Sequence, residues 1–151
     1  MQLTLFSDYS LRIALYLAAH SDRLCSVDEI SRAYGISHAH LVKVVQRLVE
    51  LDIVGSTRGR GGGLRLARPP EDINVGTLVR ATEPHLNIVE CFDVATNTCP
   101  IEAACGLKGT LLRARKAFLA VLDEQTLADY VPRSERLVKL WAPSLRERAQ
   151  T

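Results

Sequence analysis

The sequence predicts a mainly α fold with one small β-hairpin wing: a winged helix-turn-helix head followed by a long C-terminal helix suited to dimerisation. Three observations predict it. Two short helical patterns meet at Gly35, the first opened by Ser26-Val27-Asp28-Glu29. A hairpin pattern follows, with a tip of glycine and arginine from Arg58 to Gly63. A later pattern places Leu107, Leu111, Ala114, Phe118 and Val121 at alternating spacings of four and three, a seam of more than two heptads.

The elements follow in order. Ser7 reads as the N-cap of a first helix running to about His20, with Phe6 and Leu11 as a hydrophobic staple. Tyr9, Ile13, Tyr16, Leu17 and His20 share one face, and Leu11, Leu15 and Ala18 another. A helix apolar on both faces is expected between two packing partners. Ser26 and Glu29 form a capping box for a second helix, which ends at Tyr34 with Gly35 in a left-handed turn. Ser37 caps a third helix running to about Leu51.

That third helix separates by face. Leu41, Val44, Val45, Leu48 and Leu51 make an inner stripe. His40, Lys43, Arg47 and Glu50 make an outer one, with Ser37 and His38 at its start. Hydrogen-bond donors dominate the outer stripe, which suits phosphates and base edges in a major groove. A plain solvated face would also look like this. The next segment tips the balance. In Asp52–Ala67, Leu64 and Leu66 alternate with Arg65, and glycines let the tip approach a groove closely. Arg58 and Arg60 project from that tip, and arginine suits a narrow minor groove. Helix, turn, helix and basic wing, in this order, make a winged helix.

Pro69-Pro70 ends the wing. Asn74 caps a short helix with Val75, Leu78, Val79 and Thr82 on one side, and Pro84 stops it. Leu86–Glu90 is a nearly apolar run into Cys91. On the long helix, Arg113, Arg115 and Lys116 lie off the apolar seam, which is expected to pair with a second chain. Thr126 caps a short helix through Tyr130, and Pro132 ends it. The charged tail from Ser134 to Thr151, with Trp141, carries no decisive pattern. The predicted divisions are a head (1–84), a cysteine-rich loop (85–106), a dimerisation helix with the short helix after it (107–131) and the tail (132–151).

Composition narrows the class. A hydrophobic fraction of 47% over 151 residues supports a core, and 5% aromatics makes it aliphatic. The net charge of +2 says little, but Gly55–Pro70 holds Arg58, Arg60, Arg65 and Arg68 and no acid. No long apolar run suggests a membrane span, and the first residues lack a signal peptide's basic start and apolar stretch. A cytoplasmic protein is therefore expected, in a compartment where cysteines serve metals or redox chemistry rather than disulfides.

Three of the four cysteines, Cys91, Cys99 and Cys105, lie within fifteen residues. The polar residues and Pro100 between them predict a loop. Three thiolates on such a loop can hold a metal or an iron–sulfur cluster. A structural zinc site closed by Cys25 or His85 is the alternative. An electron-transfer or cluster-carrier enzyme fits less well. There is no second cofactor motif, and His20, His38, His40 and His85 show no paired ligand spacing with an acid.

Three stretches carry a resemblance to a known family. They are Met1-Gln-Leu-Thr with Phe6, Asp8-Tyr9 and Leu11-Arg12; then Arg58–Leu66; then the three-cysteine loop with Leu107 after it. Together they resemble the winged-helix iron–sulfur transcriptional repressors, over residue 1 to about Val131. Val75–Pro84 and Leu122–Val131 look most like the nitric-oxide-sensing branch. The seven residues between Cys91 and Cys99 are closer to the iron-regulator branch. The resemblance implies a homodimer with one cluster per subunit, [4Fe-4S] preferred and [2Fe-2S] possible, ligated by Cys91, Cys99 and Cys105. It points to Asp8, from the other subunit, as the fourth ligand, with His85, Glu83 and Asp93 as alternatives. It implies a repressor of a double-stranded operator, for which the helix face and wing read above offer Ser37, His38, His40, Lys43, Arg47, Arg58 and Arg60. Nitric oxide is the implied effector, and iron or redox state the alternative signal.

Overall fold

The computed structural model describes the backbone of residues 2–147 and the side chains of residues 2–142. Its helices are α1 (Leu5–Ala19), α2 (Val27–Tyr34), α3 (His38–Glu50), α4 (Val75–Thr82), α5 (Gly106–Asp123) and α6 (Ser134–Glu147). A hairpin of β1 (Val54–Thr57) and β2 (Gly63–Leu66) follows α3, and short 3-10 turns occupy several connections. The mainly α class with one antiparallel hairpin is as predicted. No helix among the described residues is long and apolar enough to cross a membrane.

Helix α1 is the centre of the core. Ile13, Ala14, Tyr16, Leu17 and Ala18 are buried on it, and it touches α3, α4, β2 and α6. That explains its two apolar faces. Its N-terminus differs from the sequence expectation. Thr4, not Ser7, is the N-cap, accepting from the Ser7 backbone N–H at 3.2 Å. Ser7 is fully buried inside the helix, so the Phe6–Leu11 staple is out of register. The reason is long-range: Glu83, at the end of α4, accepts from the Thr4 N–H at 2.8 Å and from its hydroxyl at 3.0 Å. Thr82 Oγ1 in turn donates to Ser7 Oγ at 2.9 Å.

The helix-turn-helix is built as its caps require. Ser26 Oγ accepts from the Glu29 N–H at 3.0 Å, and Gly35 takes φ 66°. The reciprocal half of the capping box is largely replaced. Glu29 accepts from the Tyr16 hydroxyl at 2.7 Å and is ion-paired with Arg23. Ser37 stands at the N-cap of α3 but makes no side-chain capping bond. Leu41, Val44, Val45 and Leu48 are buried as predicted.

Two elements extend the sequence reading. After Thr126 the chain forms a 3-10 turn through Leu127–Arg133, containing Pro132, and runs directly into α6. The expected stop at Pro132 is therefore a change of helix type. The tail, undecided from sequence, forms α6 and packs on α2. Trp141 is 7% exposed, with its ring centroid 4.7 Å from that of Tyr16 and 5.5 Å from that of Tyr34. Residues 148–151 of that tail lie outside the described residues.

Candidate nucleic-acid interface and candidate metal centre

The head exposes a polar stripe on α3 and a basic tip on the hairpin, whose first strand packs against α3. Ser37, His38, His40, Lys43 and Arg47 are all exposed along α3, because Leu41, Val44, Val45 and Leu48 anchor its opposite face in the core. His38 Nε2 lies 3.4 Å from Asp28 Oδ1, and Arg47 pairs with Glu50 at 3.0 Å. Both pairs are exposed, so water screens them and Arg47 stays available for an anionic partner. An open groove beside α3 is lined by Lys43, Gln46, Arg47 and Glu50 on one wall and Thr4, Phe6 and Thr82–Pro84 on the other.

The wing is locked at its base and open at its tip. Val54 pairs with Leu66 and Thr57 with Gly63. Cys25 adds an edge: its N–H donates to Leu64 O at 2.9 Å and its carbonyl accepts from Leu64 N at 2.8 Å. Gly59 and Gly61 take φ of 96° and 81°. A Cβ on Gly62 would lie 2.2 Å from Thr57 O, so the turn closes only around glycine. Arg58 and Arg60 are exposed on this tip.

The cysteine segment links α4 to α5. Cys91, Cys99 and Cys105 are free thiols of intermediate burial. Glu90 Oε1 accepts from the Thr98 N–H at 2.8 Å and its hydroxyl at 2.6 Å, clasping the residues that precede Cys91 and Cys99. These bonds hold the Glu90 carboxyl below the usual carboxylate range. Asn97 Oδ1 accepts from the Cys99 N–H at 3.1 Å. The Lys108 ammonium pairs with Glu102. Arg115 of α5 stacks over Phe92, 4.7 Å from the ring centroid. It also donates to Leu86 O at 3.4 Å.

Three accessible soft donors on one segment fit a thiophilic centre in chemistry. They are not gathered in advance: among the described residues, no three of the His, Cys, Asp and Glu side chains are grouped so as to hold a metal ion. Asp8 is turned to Arg12, with contacts of 2.8 and 3.0 Å. Glu83 is engaged by Thr4 and Ser7; burial opposes its ionisation, but their hydrogen bonds hold its carboxyl below the usual range. Asp93 accepts from the Ala95 N–H at 3.0 Å within its own turn. Cys25 is fully buried, and burial pushes its thiol up to about 11. A thiol that resists ionisation and sits behind the wing is a core side chain, which removes it as a partner for the other three.

Residues 3–133 match the Rrf2 family, described as an iron-dependent transcriptional regulator. The chain belongs to the Rrf2 family. It is 50% identical to the HTH-type transcriptional regulator NsrR of Bacillus subtilis (strain 168), over 93% of this chain and 97% of that one. It is 46% identical to NsrR of Halalkalibacterium halodurans, again over 93% and 97%. Among solved structures it is similar to CymR, the global cysteine regulator of B. subtilis, with TM-score 0.70 and 28% identity over 87% of this chain and 97% of that one. It is also similar to IscR of T. potens, with TM-score 0.68 and 28% identity over 90% of each chain. The family and these relatives are transcriptional regulators, not enzymes.

This Rrf2 chain also joins the stretches Val75–Pro84 and Leu122–Val131 through a contact that their spacing did not foretell. Arg80 of α4 makes a two-pronged pair with Asp123, the last residue of α5, at 2.5 and 2.6 Å. Asn74 Nδ2 donates to Asp123 O at 2.7 Å and to Gln125 O at 3.1 Å. The far end of α5 is held through the cysteine segment, and none of the helix's residues is buried. Leu107 and Val121 are 63% and 60% exposed, so the predicted seam is largely free within one chain. A clue to the joint existed in sequence: Gly76 inside a helix is costly unless something must approach closely.

Proposed function

We propose that this Rrf2 regulator is a homodimeric repressor that holds an iron–sulfur cluster, preferably [4Fe-4S], and leaves its operator in response to nitric oxide. The observation that carries the reading is the placement of all three accessible thiols on the segment joining the head to α5. Cys91, Cys99 and Cys105 would hold the cluster, with Asp8 of a second copy as fourth ligand. When bound, the cluster supplies iron that reacts with nitric oxide. Resemblance to the nitric-oxide-sensing branch supports this, as do relatives named NsrR that match over nearly their full length.

The chain's own residues do the rest. Ser37, His38, His40, Lys43 and Arg47 face the major groove, and Arg58 and Arg60 reach the adjacent minor groove. The exposed apolar face of α5 buries against its counterpart, presenting two heads to half-sites about 34 Å apart. The cysteine segment holds one end of α5 through Arg115, Phe92 and the Glu90–Thr98 clasp. Release of its thiols frees that end, and a mismatch of a few ångströms between heads and half-sites loses binding.

Anaerobic titration with nitric oxide tests this. Operator binding is expected to fall in step with the visible absorbance, and binding that survives its loss overturns the reading. The family description favours one second reading, an iron-responsive regulator with the same ligands. Prompt release by an iron chelator alone would select it.

A further inference from the structure

We propose that Arg80 and Asp123, seated over Gly76, are the joint that sets the direction of α5 relative to the DNA-reading head, and so act as positioning residues for operator binding. The proposal deepens the reading above and rests on its placement of the DNA contacts on the head. The contacts converge at one point. The guanidinium grips both carboxylate oxygens, at 2.5 and 2.6 Å, across 43 residues of sequence. A Cβ on Gly76 would lie 2.0 Å from Asp123 Oδ1 and 2.9 Å from Arg80 Nη1, so the pair occupies the space that glycine leaves. Asn74 caps α4 through the Thr77 N–H at 2.9 Å while its amide nitrogen holds Asp123 O. Val75 N–H donates to Gln125 O at 2.9 Å.

Charge explains why an arginine is used. Asp123 stands at the C-terminal end of α5, where the helix dipole disfavours an acid, and Arg80 compensates both. The two side chains are 39% and 44% exposed, so water screens their attraction and the pair adds little to stability. What a two-pronged pair supplies is direction. With 18 residues, α5 is an arm of about 27 Å, and ~10° of rotation at the joint moves its far end by ~5 Å. That far end begins at Cys105. The joint and the cysteine segment thus hold opposite ends of one rod.

The test uses the full-length chain with Arg80→Gln, Asp123→Asn, their double variant and Gly76→Ala. Spin labels on non-natural residues at positions 22 and 116, both exposed, report the head-to-α5 distance in dimers diluted with unlabelled chain. Affinity is read on a duplex that the wild type selects from a random library. Each single variant is expected to broaden the distance distribution and weaken binding on the order of tenfold, about 1.4 kcal/mol. The double variant should lose no more than either single one, because both break the same bond. Gly76→Ala should push the Asp123 carboxylate aside and broaden the same distribution, whereas the two charge variants should melt close to wild type because the exposed pair adds little to stability, which separates positioning from plain destabilisation. Unchanged distributions, or additive losses, overturn the joint. If wild type binds equally with and without its cluster, the release reading fails, while the distance distributions still decide the joint. Should Gly76→Ala not fold, the two charge variants decide it.

Discussion

The Glu90 carboxylate accepts both the N–H and the hydroxyl of Thr98, at 2.8 and 2.6 Å, so the residues just before Cys91 and Cys99 are held side by side. Outer partners of this kind typically contribute tenfold or more to the affinity of a metal site. Glu90→Ala is therefore expected to lower cluster retention about tenfold against a competing chelator, with the far-ultraviolet spectrum unchanged. Full retention would show that the clasp does not shape the site.

The thiols should divide by burial. In metal-free protein, Cys91, Cys99 and Cys105 are expected to alkylate promptly, and Cys25 only on unfolding, because it is fully buried and its thiol is pushed up to about 11. Mass mapping of alkylated cysteines checks this. Cys99→Ala should fold and dimerise yet purify colourless; a fully coloured variant removes Cys99 from the ligand set.

The wing tip makes an electrostatic claim. Arg58→Ala and Arg60→Ala should each weaken operator binding and reduce the slope of log K against log salt by about one. Titrations at several salt concentrations measure it. Unchanged slopes would mean that the tip stays clear of phosphate.

Glu29 ties stability to pH. Burial raises its carboxyl pKa, but hydrogen bonds from Arg23 and Tyr16, with the Arg23 charge, bring it below the usual value. A depressed folded pKa stabilises above the unfolded value, about 4.3, and that stability is lost as pH falls through the folded value. Glu29→Gln should destabilise by roughly 1.5–3 kcal/mol at pH 7, and the gap from wild type should narrow as pH falls from the unfolded value through the depressed folded one. Urea melts at pH 7 and across that acid range decide it.

Trp141 packs α6 onto α2 and α1, against Tyr16, Tyr34 and His20. Trp141→Ala is expected to cost about 3–5 kcal/mol, read by circular dichroism in denaturant. A loss below about 1 kcal/mol would mean that α6 is not part of the head's core.

Elements decided within a turn or two were legible. Ser26, Gly35 and Asn74 sit where their side chains or backbone freedom place them, and the alternation around Leu64 named the buried strand residue. The inner stripe of α3 followed from helical periodicity alone. The candidate site was legible as a list of thiols and arginines, because spacing and residue type carry that chemistry.

Choices between locally equivalent options were not legible. Thr4 and Ser7 are both good caps, and Glu83, 79 residues away, selected Thr4. The tail became α6 because Trp141 found an aromatic pocket assembled from α1 and α2. Gly76 leaves a space that Asp123, distant in sequence, fills. Periodicity and capping are properties of neighbours along the chain, so the amino-acid order alone determined the head, the wing and the thiol-bearing loop. Which cap is used, where the tail docks and how α5 leaves the head are contacts between distant residues, and only folding brings those together.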